Sequence, residues 1–261
     1  MKRVYDALMF RYLGKNIGTF LTHLGRITIL AGQACRHIVL RPHVGQVFEQ
    51  MYRLGVKSLP ITTVTALFIG LAFALQVVQE FLKFGAGNMI GGIVALALWR
   101  ELGPLLTAVV VAGRVGAAIA AELGTMKVTE QVEALEAMGQ DPVRYLVAPR
   151  IAASTLMMPL LVGWADVVGF FGGFIIAMGS GRVNPYMYFE SAQAMLHVQD
   201  IMGGLMKGVF FGFCIALISA YMGLSAKSGA KGVGEVTTRA VVVSLIVIFV
   251  LNYFLSTALF T

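Results

Sequence analysis

Charge and cysteine are what this sequence has least of. Only 13% of its 261 residues are Asp, Glu, Lys or Arg, whereas soluble domains carry about 25%. Hydrophobic residues make up 58% of the chain, and the mean hydropathy is +0.81. A soluble fold of this size could not bury so much apolar surface, so we expect the bilayer to solvate much of it. The apolar runs are continuous rather than alternating, which favours spanning helices over a β-barrel.

Several missing motifs narrow the function. Two cysteines, Cys35 and Cys214, give no disulfide framework, and the four histidines lack the spacing of metal ligands. The sequence contains no G-x-x-x-x-G-K-[ST] pattern, so we expect no nucleotide-binding P-loop on this chain. We therefore expect no cofactor or metal bound to the chain itself, no catalytic residues and no nucleic-acid partner.

Five apolar segments are long enough to cross a membrane. The predicted fold is an all-α integral membrane protein with a basic N-terminal region over residues 1–57 and a transmembrane domain over 58–261. The second segment exceeds one straight crossing, so we expect it to tilt or to extend beyond the bilayer. The predicted spans are 58–80, 88–120, 151–180, 208–226 and 240–260.

The N-terminal region is strongly basic and amphipathic. Residues 1–57 hold nine Lys or Arg residues against two acids, Asp6 and Glu49. An amphipathic basic helix beside membrane spans is typical of a helix lying in the headgroup interface; a soluble helix packed on a partner is the alternative. The apolar stripe consists of Leu13, Ile17, Phe20, Leu24 and Ile27.

The distribution of basic residues predicts the orientation. With the N-terminus inside, the inner segments hold fifteen of the twenty Lys and Arg residues, and the outer segments hold Lys83, Arg182 and Lys207. The positive-inside rule then places the N-terminus in the cytoplasm and the C-terminus outside.

Charged residues inside the spans are candidate functional residues. Arg100 and Glu101 interrupt the second span and Asp166 lies in the third. Such charges are costly in lipid and usually face a cavity or a partner. Adjacent helical residues point about 100° apart, so Arg100 and Glu101 need not pair with each other; a structural role, each pairing with a neighbouring helix, is the alternative. For Asp166, a hydrogen-bonded structural acid competes with a proton-coupling acid.

Two further groups of residues are candidates for contacts with partners or substrate. A short acidic helix is predicted at 126–139 on the cytoplasmic side, ended by Gly139 and Pro142, and its acids indicate a protein partner rather than a solvated loop. Near the outer end of the first span, polar residues could form a cavity rim or simply end the helix. The rim candidates are Leu75, Gln76 and Gln79, and the acidic-helix candidates are Glu130, Glu133, Glu136, Met138, Asp141 and Pro142.

A family resemblance covers about residues 55–261. The motifs are Leu-Trp-Arg-Glu-Leu-Gly-Pro at 98–104, Ala-Gly-Arg at 112–114, Ala-Glu-Leu-Gly at 121–124, Thr-Glu-Gln at 129–131, Asp-Pro at 141–142 and Pro-Arg at 149–150. In this order and spacing they resemble the MlaE permease family, which includes bacterial permeases that work with MCE proteins and the chloroplast lipid-import permease.

The resemblance implies more than the residues alone do. It implies two permease copies in the bacterial inner membrane, each bound by an ABC ATPase subunit that holds ATP and magnesium. The 126–139 helix would be the coupling helix, and Arg100 with Glu101 the intramembrane charged pair. A ring of MCE subunits, in some members also a STAS-domain protein, and a phospholipid substrate complete the expected system.

Three other functions compete with this one. An ion-coupled secondary transporter would use Glu101 and Asp166 and need no ATPase. An intramembrane enzyme would need a nucleophile and base at membrane depth, and Ser154, Ser180 and Ser219 have no histidine in a plausible neighbouring span. A purely structural membrane scaffold is the third, and it does not account for the charged residues inside the spans.

Overall fold

The computed structural model describes residues 2–40, 43–179, 183–227 and 229–260, with side chains for all of these except 2–17, 19 and 20. Every regular element in the described residues is a helix, and five helices are long and apolar enough to cross a membrane. The predicted all-α membrane fold with five spans is therefore confirmed. The helices are α1 Lys2–Leu40, α2 Val44–Lys83, α3 Gly87–Val128, α4 Gln131–Ala137, α5 Val143–Gly179, α6 Pro185–Met195, α7 Val198–Leu224 and α8 Gly229–Phe260.

The spanning helices extend beyond the predicted spans. Helix α2 begins at Val44, so the predicted boundary at residue 57 falls inside a continuous helix. Helix α7 begins at Val198, ten residues before the predicted start at 208, and it contains Lys207, which was wrongly expected in an outer connection. Its polar residues do not end the span, because Asp200 and Lys207 are paired with other helices. The last residue of the predicted 151–180 span lies outside the described residues.

The two ends of the bundle are distinct. Helix α1 and helix α4 lie at the same end of the bundle, since His37 Nε2 of α1 is 2.8 Å from Oδ2 of Asp141, which follows α4. This end is called the inner end below. The α2–α3 connection, α6 and the end of α8 lie at the other, outer end. Of the predicted stripe on α1, the side chains of Leu13, Ile17 and Phe20 are outside the described set. Leu24 is exposed, and α1 packs on the bundle through Leu30 and Ala34.

Two apolar clusters hold the helices together. The larger one joins α1, α3, α5, α7 and α8 around Ile119, Ile151 and Phe211. The smaller one lies nearer the outer end and packs α6 against α3 and α5 around Tyr188. The backbones of α2 and α5 touch at Gly70, where a Cβ atom would lie 2.0 Å from the Gly169 carbonyl oxygen. Such close approach is how helices associate in lipid.

The described part of the chain has four π-helical turns in its long helices, three within a helix and one at the start of α5, and each contains one arginine. π-Helical turns are rare in proteins, and those that occur are frequently found at functional sites. Two lie in α3, separated by nine residues of α-helix. The four turns are Met51–Gly55 with Arg53, Leu98–Leu102 with Arg100, Ala112–Gly116 with Arg114, and Val143–Val147 with Arg144.

Candidate functional site

The first π-helical turn of α3 presents two charged side chains and a carbonyl that accepts from another helix. Arg100 and Glu101 lie in this turn, and Pro104 follows it. Proline has no N–H, so it cannot donate the hydrogen bond that a regular helix would give to the Arg100 carbonyl. That carbonyl instead accepts a hydrogen bond from Lys207 Nζ of α7, at 2.7 Å.

The Glu101 carboxylate joins three helices. Its Oε1 atom lies 2.9 Å from Lys207 Nζ and accepts a hydrogen bond from Ser256 Oγ at 2.7 Å. Its Oε2 atom accepts from Asn252 Nδ2 at 2.9 Å. Lys207 Nζ also donates to Ser256 Oγ at 2.7 Å, so α3, α7 and α8 meet at one connected set of polar atoms.

Arg100 pairs with a different acid. Its Nε lies 2.7 Å from Asp200 Oδ1, and the other oxygen of Asp200 accepts the His197 backbone N–H at 2.9 Å, which caps the first turn of α7. The ring of Phe260, at the end of α8, lies 5.1 Å from the Arg100 guanidinium carbon and 5.0 Å from Lys207 Nζ. We call the set Arg100, Glu101, Asp200, Lys207, Asn252 and Ser256 the charge network.

The charge network is buried on the α7 side and open on the α3 side. The side chains of Lys207 and Asp200 are 0% and 3% exposed, whereas those of Glu101 and Arg100 are 41% and 36% exposed. Lys207 is nine residues into α7, about 14 Å from its outer end at 1.5 Å per residue. Charges at this depth normally face an aqueous cavity or another protein surface rather than lipid.

Sequence reasoning found two of the six residues of this network. Arg100 and Glu101 are paired, as the structural alternative had it, with α7 rather than with each other. Their partners Asp200 and Lys207 were missed because they stand about a hundred residues away, and Asn252 and Ser256 gave no signal in a span without charge. One signal was available: Asp200 and Lys207 lie near the start of an otherwise apolar segment, which could have marked them as partners for Arg100 and Glu101.

Asp166 is buried apart from the charge network. It is 1% exposed, and its Oδ1 has no hydrogen-bond partner in the described part of the chain. It packs on Gly103, where a Cβ atom would lie 1.6 Å from that oxygen. A side chain at residue 103 would therefore require the Asp166 carboxyl group to move.

A groove of about 840 Å³ opens between α2 and α5 near the outer end. This volume lies within the range of about 300–1,000 Å³ typical of small-molecule sites. Leu75 and Gln79, both predicted for a cavity rim, line it, while Gln76 is exposed but does not. The remaining lining residues are Val78, Leu82, Lys83, Ile175, Ile176 and Gly179.

The acidic segment at the inner end is shorter than predicted. The helix expected over 126–139 is broken, because Glu130 takes a left-handed conformation with φ 60° between the end of α3 and the start of α4. Glu130, Glu133 and Glu136 are exposed, and Val132 anchors α4 with 4% exposure. Met138, one of the acidic-helix candidates, is 67% exposed and follows the last residue of α4.

Ionic contacts fix this segment to the spans. Lys127 donates a hydrogen bond to Glu133, which lowers the pKa of that carboxyl. Arg150 of α5 lies 2.9 Å from Glu122 of α3. Asp141 Oδ1 accepts the Val143 backbone N–H at 2.9 Å, so it caps α5 while its other oxygen contacts His37. The segment is thus held to α3 through Lys127 and to the start of α5 through Asp141.

Comparison with known proteins identifies the family. The profile described as "Permease MlaE" matches residues 47–258. The chain belongs to the MlaE permease family. A probable ABC transporter permease protein of Synechocystis is 47% identical over 232 residues, 88% of each chain. A protein of Rickettsia typhi with the same description is 42% identical over 249 residues, 95% of this chain and 96% of the relative.

A plant relative connects the family to plastids. The chloroplastic protein TRIGALACTOSYLDIACYLGLYCEROL 1 of Arabidopsis thaliana is 41% identical over 235 residues, 90% of this chain and 67% of the relative. The resemblance read from the motifs is confirmed. This member of the MlaE family is thus a multi-pass membrane protein of the ABC transporter permease type.

Proposed function

We propose that this permease forms the membrane pathway of a lipid transporter that moves phospholipids between membranes, driven by a separate ATPase subunit. The groove between α2 and α5 is the observation that carries the proposal. Its volume and largely aliphatic lining suit an acyl chain, and Gln79 with Lys83 at the outer end suits a phosphate-bearing headgroup. The ATPase would hold ATP and magnesium, and this chain would carry no hydrolytic chemistry.

The inner-end segment supplies the coupling in this proposal. Glu133 and Glu136 of α4 are exposed, as is Glu130 just before it, and Asp141 and Pro142 immediately precede α5. A basic cleft on the ATPase would complement them. Closure of the ATPases on ATP would move α4, and its links to α3 and α5 would carry that movement to the groove.

A second copy of the chain would cover the exposed apolar face of α2 and α5. Phe68 is 64% exposed, Phe171 51% and Ile175 58%, all on the side where the groove opens. Two grooves would then form one cavity between the copies. The inner end would face the cytoplasm in the bacterial inner membrane, and an MCE-domain ring would sit over the outer end. A STAS-domain protein would bind the ATPase where the system has one.

The test is to express the chain with its genomic neighbours, extract it gently and identify copurified proteins and lipids by mass spectrometry. A stoichiometric ATPase together with phospholipid is expected. Reversing Glu130, Glu133 and Glu136 to lysine should release the ATPase and leave the lipid bound. A chain that purifies alone, without lipid above background, would contradict the proposal.

An ion-coupled transporter is the competing function, and buried Asp166 is the observation that favours it. Its unpaired carboxyl oxygen is what a proton-binding site would show. Both carboxylate oxygens of Glu101, the second acid of that hypothesis, accept hydrogen bonds within the charge network. Asp166→Asn should abolish solute uptake if ions drive the protein, and it should leave ATP-dependent lipid transport intact if they do not.

A further inference from the structure

A basic cleft at the inner end has no role in the proposed transport pathway. It lies between the end of α1, the start of α2 and the start of α5, far from the groove and the charge network. Its small interior, about 20 Å³, is lined by His37, His43 and Arg144 together with the apolar side chains Ile38, Val47 and Ala148. Three side chains that can be cationic therefore surround one opening.

The charges of this cleft are only partly matched. His37 is matched by Asp141, whose carboxylate lies 2.8 Å from its ring. Arg144 forms no ion pair or hydrogen bond with the described residues, and its Nε atom is shielded from solvent without a partner. His43 makes an edge-to-face contact with the Tyr145 ring, at 4.8 Å between centroids, and no side-chain hydrogen bond. A guanidinium with a buried, unused donor is unfavourable unless an acceptor reaches it.

The helix ends beside the cleft carry exposed apolar side chains. In the last turn of α1, next to His37 and Ile38, Val39 is 78% exposed and Leu40 65%, and in the first two turns of α2, next to Val47, Val44 is 55% exposed and Phe48 64%. Cations beside an exposed apolar surface, with a tyrosine at the same level, are typical of the membrane–water interface. An acidic protein surface would satisfy Arg144 but would leave these apolar side chains in water.

We infer that Arg144 and His43 bind the phosphate group of an anionic phospholipid from the adjoining leaflet. The guanidinium donates paired hydrogen bonds to phosphate oxygens, and this geometry is the one that arginine provides better than lysine. The acyl chains lie along Val44 and Phe48. The lipid would be a resident that holds α1 and α2 against α5, rather than cargo, so the inference does not depend on the proposed transport activity.

Native mass spectrometry of the full chain tests the inference. The detergent-solubilised protein is mixed with equal amounts of dioleoylphosphatidylglycerol and dioleoylphosphatidylethanolamine, and retained lipids are counted as collision energy rises. We expect preferential retention of phosphatidylglycerol by the wild type. Arg144→Gln should weaken that retention about tenfold, the loss of one good charged contact, His43→Gln should weaken it less, and Arg144→Lys should restore part of it.

The matched control is Arg53→Gln, which removes an inner-end arginine that already pairs with Glu49 at 2.7 Å. It should retain phosphatidylglycerol as the wild type does. Equal losses for Arg53→Gln and Arg144→Gln would overturn the inference, because they would show dependence on net charge alone. Unchanged retention in both Arg144→Gln and His43→Gln would overturn it as well. If Arg144→Gln does not fold, the comparison of His43→Gln with Arg53→Gln decides.

Discussion

The charge network makes an asymmetric prediction about stability. Glu101→Gln keeps an oxygen that accepts from Lys207 and Ser256 but puts an N–H donor opposite Asn252 Nδ2. It also leaves the ammonium of Lys207, which is 0% exposed, without its counter-charge. Lys207→Met removes the ammonium and leaves a carboxylate that is 41% exposed and can be hydrated. The two variants break the same ion pair, yet only the first strands a buried charge. We therefore expect Glu101→Gln to be the more destabilising.

The expected size follows from what a stranded charge costs. Removing one partner of a buried pair typically costs about 3–5 kcal/mol, which in a chain of this length lowers the Tm by roughly 6–20 °C. Because Glu101 can be hydrated, the loss in free energy of unfolding for Lys207→Met should be smaller, about 1–3 kcal/mol, as for an unsatisfied polar group. The double variant Glu101→Gln/Lys207→Met removes both charges, so it should lose less than the sum, with a coupling of about 0.5–3 kcal/mol.

The assay is unfolding in detergent, followed by tryptophan fluorescence, since Trp99 adjoins Arg100. Lys83→Met is the control, because its ammonium pairs with Glu80 where both side chains are exposed. Such surface pairs contribute about 0–1 kcal/mol. Equal losses from the two single variants, or a double variant that loses their full sum, would refute the reasoning that Lys207 is a buried charge held by Glu101.

Two further predictions concern the outer half of the bundle. Gly103→Ala should destabilise the fold by about 1–3 kcal/mol, because its Cβ would overlap Asp166, and Asp166→Ala should recover much of that loss in the same unfolding assay. Ile175→Trp should fill part of the groove and lower copurified phospholipid at least twofold, measured by lipid mass spectrometry.

Each of these predictions has a control in the same chain. Gly113→Ala adds a methyl group to α3 where no atom lies within 4 Å, so it should not destabilise the protein. Ile246→Trp adds the same bulk on α8 at a residue that is also 58% exposed, and it should keep the wild-type lipid content. Similar effects from variant and control would show that the change of residue type, rather than the Asp166 contact or the groove, is responsible.

The sequence predicted the helices well because lipid leaves a spanning chain few choices. Composition and continuous apolar runs were enough for five spans. The start of α7 was misplaced because a window of hydropathy counts Asp200 and Lys207 as polar, whereas the fold neutralises them by pairing. The break in the predicted 126–139 helix depends on one left-handed residue, Glu130, and glutamate carries no local signal for that conformation.

For the candidate sites too, features within one segment were predictable and contacts between distant helices were not. Arg100 and Glu101 were visible because charge is rare inside a span. Their contacts with Asn252 and Ser256 depend on helix packing across about 150 residues of sequence, which periodicity in one segment does not report. The groove could be anticipated only at Leu75 and Gln79, since its other wall, on α5, looks like any lipid-facing helix.

The paired π-helical turns of α3 have a consequence for movement. Each turn stores one residue more than an α-helical turn, and the nine-residue stretch Gly103–Val111 lies between them. If one turn tightened while the other widened, that stretch would rotate by about 100° and advance about 1.5 Å. The two ends of α3 would stay where they are. The middle of α3 could thus change which of its side chains face α5 and α7 while the rest of the helix keeps its contacts. Pro104 and the Asp166 contact lie at the boundary of the segment that would rotate.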